Sequence, residues 1–152
     1  MNYTKTLKLN MKKGWFLFVI LLIANGVTAQ NEVIKKALTE RFAALQKLDK
    51  KAIASFHAPK STVVVSGEAF ADINAYLTKQ LPEFEGTGVV FDNHVVDVTK
   101  AETNWATATE SYQYSFKKGE KAIKGTGTAT YTFQKTGSKW RIVQFHVSFK
   151  RQ

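Results

Sequence analysis

A single carboxylate interrupts a row of small and aromatic residues in the segment "ATATESYQYSF", residues 106–116. Its alternate positions are Ala106, Ala108, Glu110, Tyr112, Tyr114 and Phe116. This spacing places all six on one face of a β-strand, and a buried carboxylate must be solvated by a cavity, paired or kept neutral. We therefore interpret Glu110 as a general base or polar anchor in an interior pocket. The alternatives are an ion pair with a lysine at the pocket mouth, or a strand register that exposes Glu110 to solvent.

Four tyrosines could work with this carboxylate as hydrogen-bond donors. They are Tyr76, Tyr112, Tyr114 and Tyr131. A carboxylate base opposite a phenol donor suits enolisation or dehydration beside a carbonyl, because the donor stabilises the developing oxyanion. The alternative is that these tyrosines are core or rim residues whose hydroxyls reach water. A second acid or base that would act with Glu110 cannot be identified in the sequence.

The three histidines do not predict a metal site. His57 follows a short helical segment, and we expect it to cap that helix through the helix dipole; the alternative is that it points into the pocket beside Phe56. His94 shares a strand face with Asp92 but not with Asp97, and two ligands do not make a site. No phosphate-binding glycine loop follows a strand, because "GTG" (125–127) lies inside one and is interpreted as a bend. We therefore expect no metal and no cofactor.

The elements that position these residues are helical first and extended later. Apolar residues recur at helical spacing from Asn31 to Leu48, and a second, shorter helix, "KKAIASFH", follows Asp49. A short strand, "STVVVSG", precedes a third helix that is predicted to end near Pro82. Four strand-like segments with short turns occupy the chain after Gly86. This order predicts an α+β domain with helices on one face of the sheet.

The N-terminal segment has the pattern of a secretory signal peptide. Lys12 and Lys13 precede an apolar run, and Val27 and Ala29 have the spacing of a cleavage site after Ala29. We predict a signal peptide over 1–29, with Met11 as an alternative start, and one domain over 30–152. After cleavage the chain would be periplasmic or secreted and would have no stable membrane anchor. Residues 30–152 contain 18 basic and 12 acidic side chains, a formal net charge of +6. This modest, scattered charge argues against nucleic acid as a partner.

Alternation in the last two strands separates an apolar face from a neutral polar one. The predicted inner set is Ala129, Tyr131, Phe133, Val143, Phe145, Val147 and Phe149. The opposite face carries the threonines of 126–132 together with Gln144, His146 and Ser148. Trp105 and Trp140 lie at its edge. The helices must cover the first face, which also contains Glu110.

The order of elements and the closing segment "GSKWRIVQFHVS" resemble the SnoaL-like branch of the nuclear transport factor 2-like superfamily. The tail is also similar to the last strand of the association domain of calcium/calmodulin-dependent protein kinase II. The resemblance implies a cone of three N-terminal helices packed on a curved, mainly antiparallel sheet, with an internal pocket. It also implies a homodimer formed through the sheet face that points away from the helices. Members include isomerases, dehydratases and hydrolases as well as binding modules, so the fold does not identify the function.

The resemblance also bears on the charge of the ligand. Arginines that hold a carboxylate in the kinase domain correspond here to Tyr131 and Val147, and a third corresponds to a position near Glu110. We therefore expect an arginine-free hydrophobic pocket that binds a small neutral or cationic molecule without catalysis. The alternative function is a cofactor-free isomerase, dehydratase or hydrolase with Glu110 as general base and a tyrosine donor. The predicted pocket residues are Tyr76, Tyr112, Tyr114, Tyr131, Phe133, Phe145 and Val147.

Overall fold

A computed structural model describes the backbone of residues 11–152 and the side chains of residues 29–152. The predicted leader, residues 1–29, falls almost wholly outside the described side chains and stays a prediction. In the described part of the chain, no helix is both long enough and apolar enough to cross a membrane.

Within residues 11–152, the fold consists of three α-helices, one 3₁₀ turn and six strands. The helices are α1 (Met11–Gln46), α2 (Lys50–Ser55) and α3 (Ile73–Gln80), and the 3₁₀ turn is Leu81–Glu83. The strands are β1 (His57–Val65), β2 (Glu68–Phe70), β3 (Val90–Ala101), β4 (Trp105–Lys118), β5 (Lys121–Thr136) and β6 (Lys139–Arg151). Only two of the helices precede the sheet, because β1 and β2 separate α2 from α3. The predicted order of two helices, one strand and a third helix is confirmed, but the structure adds the strand β2 before α3 and a 3₁₀ turn after it, so the predicted count of three helical elements is corrected to four.

The strands form one mixed sheet in the order β2-β1-β6-β5-β4-β3. Strands β3 to β6 pair antiparallel through short turns, as predicted, whereas β1 pairs parallel to β6. The parallel pair arises because the chain passes through α3 and the whole β3–β5 meander before it returns beside β1. The architecture is the predicted α+β class with a mainly antiparallel sheet.

The boundary between α2 and β1 differs from the prediction. Helix α2 ends at Ser55, and β1 begins at His57 and contains Pro59. Proline lacks an N–H group and is tolerated in a strand where ladder pairing is interrupted. The register of β1 against β6 shifts between His57 and Thr62, so Pro59 falls within such an interruption.

Strand alternation is correct along β4 and β5 but fails in the first part of β6. Glu110, Tyr112 and Tyr131 all face the core, as predicted. In β6, however, Ile142 is fully buried and Val143 is only partly buried, the reverse of the prediction. The cause is a register shift opposite Thr132 and Phe133, where the β5–β6 pairing jumps from Ile142 to Gln144. An extra residue in one strand shifts the alternation of inward and outward side chains by one position, so the pattern before the bulge is the reverse of the pattern after it.

Candidate functional site

Glu110 lies at the centre of a buried polar network beneath α1. It is 1% exposed, and each of its carboxylate oxygens has a partner. His94 Nε2 lies 2.7 Å from Oε1, and the Tyr131 hydroxyl donates a hydrogen bond to Oε2. The predicted burial of Glu110 is confirmed, and its charged partner is an arginine rather than a lysine at the pocket mouth. The exposed alternative is wrong.

Arg41 of α1 is the charged partner that sequence reasoning missed. Its side chain is almost completely buried, and Nη1 lies 3.8 Å from Glu110 Oε2 and donates to the Tyr131 hydroxyl at 3.0 Å. The guanidinium carbon lies 4.7 Å from the centre of the Phe145 ring, a distance typical of a cation–π contact. The prediction of an arginine-free pocket is therefore wrong. The prediction considered strand positions alone, whereas the Arg41 side chain extends into the core from α1.

A signal for Arg41 was present in the helical spacing. Ile34 and Leu38 are both fully buried, and Arg41 is three residues beyond Leu38 on the same helical face. A charged residue in the apolar stripe of an amphipathic helix points towards the core. Burial opposes the charged form, but attraction to nearby groups, the Glu110 carboxylate among them, raises the pKa of Arg41 above its ordinary value. The guanidinium therefore stays charged.

His57 lies inside the domain and does not cap α2. It is 5% exposed, and its Nε2 accepts a hydrogen bond from Arg41 Nε at 3.3 Å. Burial, followed by repulsion from Arg41, lowers the pKa of His57 to about 2, so the ring is neutral. Its proton must lie on Nδ1, because Nε2 is the acceptor. The predicted cap is wrong, and the alternative of an inward-pointing His57 is correct.

His94 is a second polar partner of Glu110 that the sequence did not reveal. A bulge between Asp92 and Val95, with Asn93 at φ +49°, interrupts the β3–β4 ladder at this residue. The imidazole is stacked on Phe42, with ring centres 3.9 Å apart and planes 2° from parallel. Its partner is a single carboxylate, and the described residues contain no cluster of three or more metal-ligating side chains.

Two neighbouring cavities share part of their lining. The inner cavity has a volume of about 20 Å³. Its lining consists of Arg41, Leu45, Ile53, Tyr76, Leu77, Leu81, Phe84, Phe91, Tyr112, Phe145 and Phe149. The outer one measures about 320 Å³, and Phe84 and Phe149 line both cavities. These two phenylalanine rings are therefore a shared wall.

The predicted pocket residues divide among three locations. Tyr76, Tyr112 and Phe145 line the inner cavity, and Tyr114 lines the outer one. Three predicted residues, Tyr131, Phe133 and Val147, line neither of these cavities and are packed in the core. Glu110 lines neither cavity. The inner cavity thus contacts the buried network only through Arg41.

Two glycines of β5 allow the tyrosines of β4 to lie across the sheet. Tyr112 is paired with Gly127, and Tyr114 is paired with Gly125. A Cβ atom on Gly127 would lie 2.5 Å from the Tyr112 ring, and one on Gly125 would lie 2.4 Å from the Tyr114 hydroxyl. The "GTG" segment, interpreted from sequence as a bend, therefore provides space for these two rings. Aromatic rings that cover glycines on a neighbouring strand are a known device of β-sheets.

Comparison with known proteins identifies the family and the fold. Residues 30–152 match the SnoaL-like domain family. No curated protein matches the sequence significantly. Three solved structures illustrate the similarity, each at an identity that supports the fold alone.

The first is a ketosteroid isomerase-like protein from Erwinia carotovora atroseptica, with a TM-score of 0.65, 15% identity and coverage of 79% of this chain and 95% of the other. The second is a candidate dehydratase of the NTF2-like family from Streptomyces avermitilis, with a TM-score of 0.65, 18% identity and coverage of 80% and 96%. The third is a candidate calcium/calmodulin-dependent protein kinase II association domain from Xanthomonas campestris, with a TM-score of 0.57, 22% identity and coverage of 78% and 86%. With its α-helices on a curved mixed sheet and its match over residues 30–152, the chain belongs to the SnoaL-like family and has the nuclear transport factor 2-like fold.

Proposed function

We propose that this chain is a non-catalytic domain that binds a small molecule in the cavity beneath its helices. The observation that supports this proposal most directly is the composition of the inner cavity. Arg41, Tyr76 and Tyr112 bring polar groups to a lining that is otherwise aliphatic and aromatic. A few convergent polar groups in an apolar recess are typical of small-molecule sites.

Ligand binding in this cavity requires that its wall moves. A volume of about 20 Å³ accommodates roughly one water molecule, whereas the outer cavity of about 320 Å³ is in the size range of ligand pockets. Displacement of Phe84 or Phe149 would join the two volumes. Phe84 is the better candidate, because it lies between the 3₁₀ turn and a loop with two positive-φ glycines, Gly86 and Gly88.

Glu110 has an indirect role in this proposal. Both of its oxygens are occupied, and its nearest cation is Arg41. The carboxylate therefore compensates the buried guanidinium and holds it at the cavity edge. Glu110 does not contact the ligand itself.

A second candidate function is that of a cofactor-free isomerase, dehydratase or hydrolase. The observation that favours it is the contiguous set His94, Glu110 and Tyr131, which provides the acid/base partner that such chemistry needs. Structural neighbours described as isomerase-like and as a candidate dehydratase are consistent with it. However, Glu110 is 1% exposed, and the Tyr131 hydroxyl already donates its hydrogen bond to Glu110. We therefore prefer binding without catalysis.

Export and dimerisation complete the proposal. The leader pattern of residues 1–29 supports export to the periplasm or beyond. On the sheet face opposite the helices, the outward-pointing residues within Thr107–Ser111, Thr126–Thr132 and Gln144–Ser148 include no Asp, Glu, Lys or Arg. Beside them, Val95 is 61% exposed. A broad neutral face of this kind suits a symmetric contact with a second copy of the chain.

The proposal is tested by screening small molecules of all charge types against the chain from Gln30 by thermal shift. Tyr76→Phe with Tyr112→Phe is expected to weaken any ligand that raises the melting temperature, because both cavity hydroxyls are lost. Trp105→Phe serves as the control, because this exposed aromatic residue lines neither cavity. The same ligands are incubated with the protein and followed by NMR. Turnover that disappears in Tyr131→Phe would replace the binding proposal with the enzymatic one.

A further inference from the structure

Arg41 has more hydrogen-bond donors than the described residues satisfy. A guanidinium carries five N–H groups. Nε donates to His57 and one Nη1 hydrogen goes to Tyr131, and both of these acceptors are neutral. The nearest carboxylate oxygen, on Glu110, lies 3.8 Å from Nη1, beyond hydrogen-bond distance. Among residues 29–152, no acceptor is found for the remaining three N–H groups, which include both on Nη2.

The lining of the inner cavity consists of donors and apolar surface. Arg41 is its one charged residue, and the lining contains no aspartate or glutamate. Burial is the largest cause of the pKa shifts of both cavity tyrosines. It raises the pKa of Tyr76 to about 12 and raises the pKa of Tyr112 further. Both hydroxyls therefore keep their protons at neutral pH and can donate them to a ligand.

We propose that the inner cavity takes a small monocarboxylate with an apolar body, a deepening that rests on the function proposed above. The carboxylate accepts hydrogen bonds from the unpaired edge of Arg41 and from the hydroxyls of Tyr76 and Tyr112. Arginine binds carboxylates in a two-pronged manner, and such charge-assisted bonds are stronger than neutral ones. The Glu110 charge is partly offset by the Tyr131 hydroxyl and by His94, and it is held on the Nη1 side.

The apolar body of the ligand is assigned to the phenylalanine wall. Phe84 and Phe149 separate the cavity from the outer pocket, and Phe91 and Phe145 line its interior. A ligand whose carboxylate reaches Arg41 would extend outwards between these rings. This arrangement predicts preference for an aryl or alkyl chain over a small hydrophilic acid such as formate.

The test uses three probes of one shape, 3-phenylpropanoate, 3-phenylpropanamide and 3-phenylpropylamine. Each is titrated into the 15N-labelled chain from Gln30, and the arginine Nε–H resonances are followed by NMR. We expect the carboxylate to shift the Arg41 resonance and to bind at least about tenfold more tightly than the amide, the selectivity typical of a charge-assisted contact. The amine should not bind.

Arg41→Lys keeps the positive charge but loses the planar fork, so we expect it to weaken binding of the carboxylate at least about tenfold. Arg141→Lys is the matched control, because this arginine donates to the Ser55 carbonyl outside the cavity. Circular dichroism establishes that each variant is folded, and if Arg41→Lys does not fold, the three-probe comparison on the unaltered chain decides alone.

Three results would overturn the inference. If the amide or the amine binds as well as the carboxylate, the cavity is a ligand site but the assigned ligand class is wrong. If the carboxylate binds Arg41→Lys as tightly as the unaltered chain, it binds elsewhere. If no probe binds up to about 10 mM, a concentration at which fragments of this size should show affinity, the assigned ligand class is wrong, and the thermal-shift screen decides the binding function separately.

Discussion

At the scale of single residues, Arg41 organises the interior of this protein. It connects the neutral His57 ring to the Tyr131–Glu110 pair and to the inner cavity. A buried charge is tolerated when it is paired and hydrogen-bonded. Here the compensating carboxylate comes from β4, which is distant in the sequence from α1. The network therefore ties the helix to the sheet by polar contacts as well as by apolar packing.

The neutral state of His57 predicts acid sensitivity. Its pKa falls from 6.5 in the unfolded chain to about 2 in the folded protein. Between these two pKa values the unfolded chain binds more protons than the folded protein does. The stability that neutral His57 contributes is therefore fully present above pH 6.5 and is lost as the pH falls below it. We expect a loss of about 2 kcal/mol between about pH 7.5 and 5 from this residue, measured by urea denaturation. His57→Gln should lose less stability over this range than the unaltered chain does. Equal losses in the two proteins would contradict the assignment.

The Arg41–Glu110 pair predicts a strong coupling. Glu110→Gln should lower the free energy of unfolding by about 3–5 kcal/mol, because it leaves a buried guanidinium without its counter-charge. Arg41→Met should have a similar effect, and the double variant should lose less than the sum. Urea denaturation of the four proteins measures this coupling. Glu102→Gln, at an exposed pair with Lys100, should change stability by less than about 1 kcal/mol. Strict additivity of the two core substitutions would refute the coupling.

At the scale of elements, β4 and β5 shape the cavity by pairing large residues with small ones. The rings of Tyr112 and Tyr114 lie over Gly127 and Gly125, so the two strands act as one surface. The bulge in β3 has a comparable effect, because it interrupts the ladder beside His94. Local irregularities in regular strands therefore position the residues around Glu110.

Gly127→Ala tests the packing of tyrosine over glycine. The added Cβ would meet the Tyr112 ring at 2.5 Å and force it to move, at an expected cost of about 1–3 kcal/mol. Chemical denaturation measures the cost, and near-ultraviolet circular dichroism reports the displaced ring. Thr136→Ala, at the exposed end of β5, should change stability by less than about 0.5 kcal/mol. A Gly127→Ala variant as stable as the original, with an unchanged spectrum, would argue against this packing.

At the scale of the whole molecule, the sheet has one face under the helices and a second face whose central residues, on β4 to β6, are neutral and polar. The second face is continuous across β4, β5 and β6, where Thr109, Thr130 and His146 follow one another in register. Charged residues are usually depleted from the centre of an interface. We therefore expect a dimer through this face.

Thr128→Glu with Thr130→Glu should convert the dimer to a monomer, because like charges would meet at the centre of a symmetric contact. Sedimentation velocity measures the species directly. Thr39→Glu with Thr78→Glu places the same charges on exposed helical positions and should leave the dimer intact. A sheet-face variant that sediments as a dimer would rule out this surface.

The sequence by itself determined the strands after Gly86, the inward face of β4 and the family resemblance. Each depends on short-range periodicity or turn chemistry, which one segment of chain specifies without its neighbours. Helical periodicity also contained the signal for Arg41, three residues beyond Leu38 in the apolar stripe.

Only the tertiary structure decided what surrounds Glu110. His57, Arg41 and His94 come from three different elements, and they meet because α1 packs on the sheet and β1 pairs with β6 within it. Register shifts in β3 and between β5 and β6 cannot be read from alternation, because a bulge is stabilised by contacts with neighbouring strands. The sequence therefore placed a carboxylate in the core, whereas long-range packing selected its partners and separated it from the cavity.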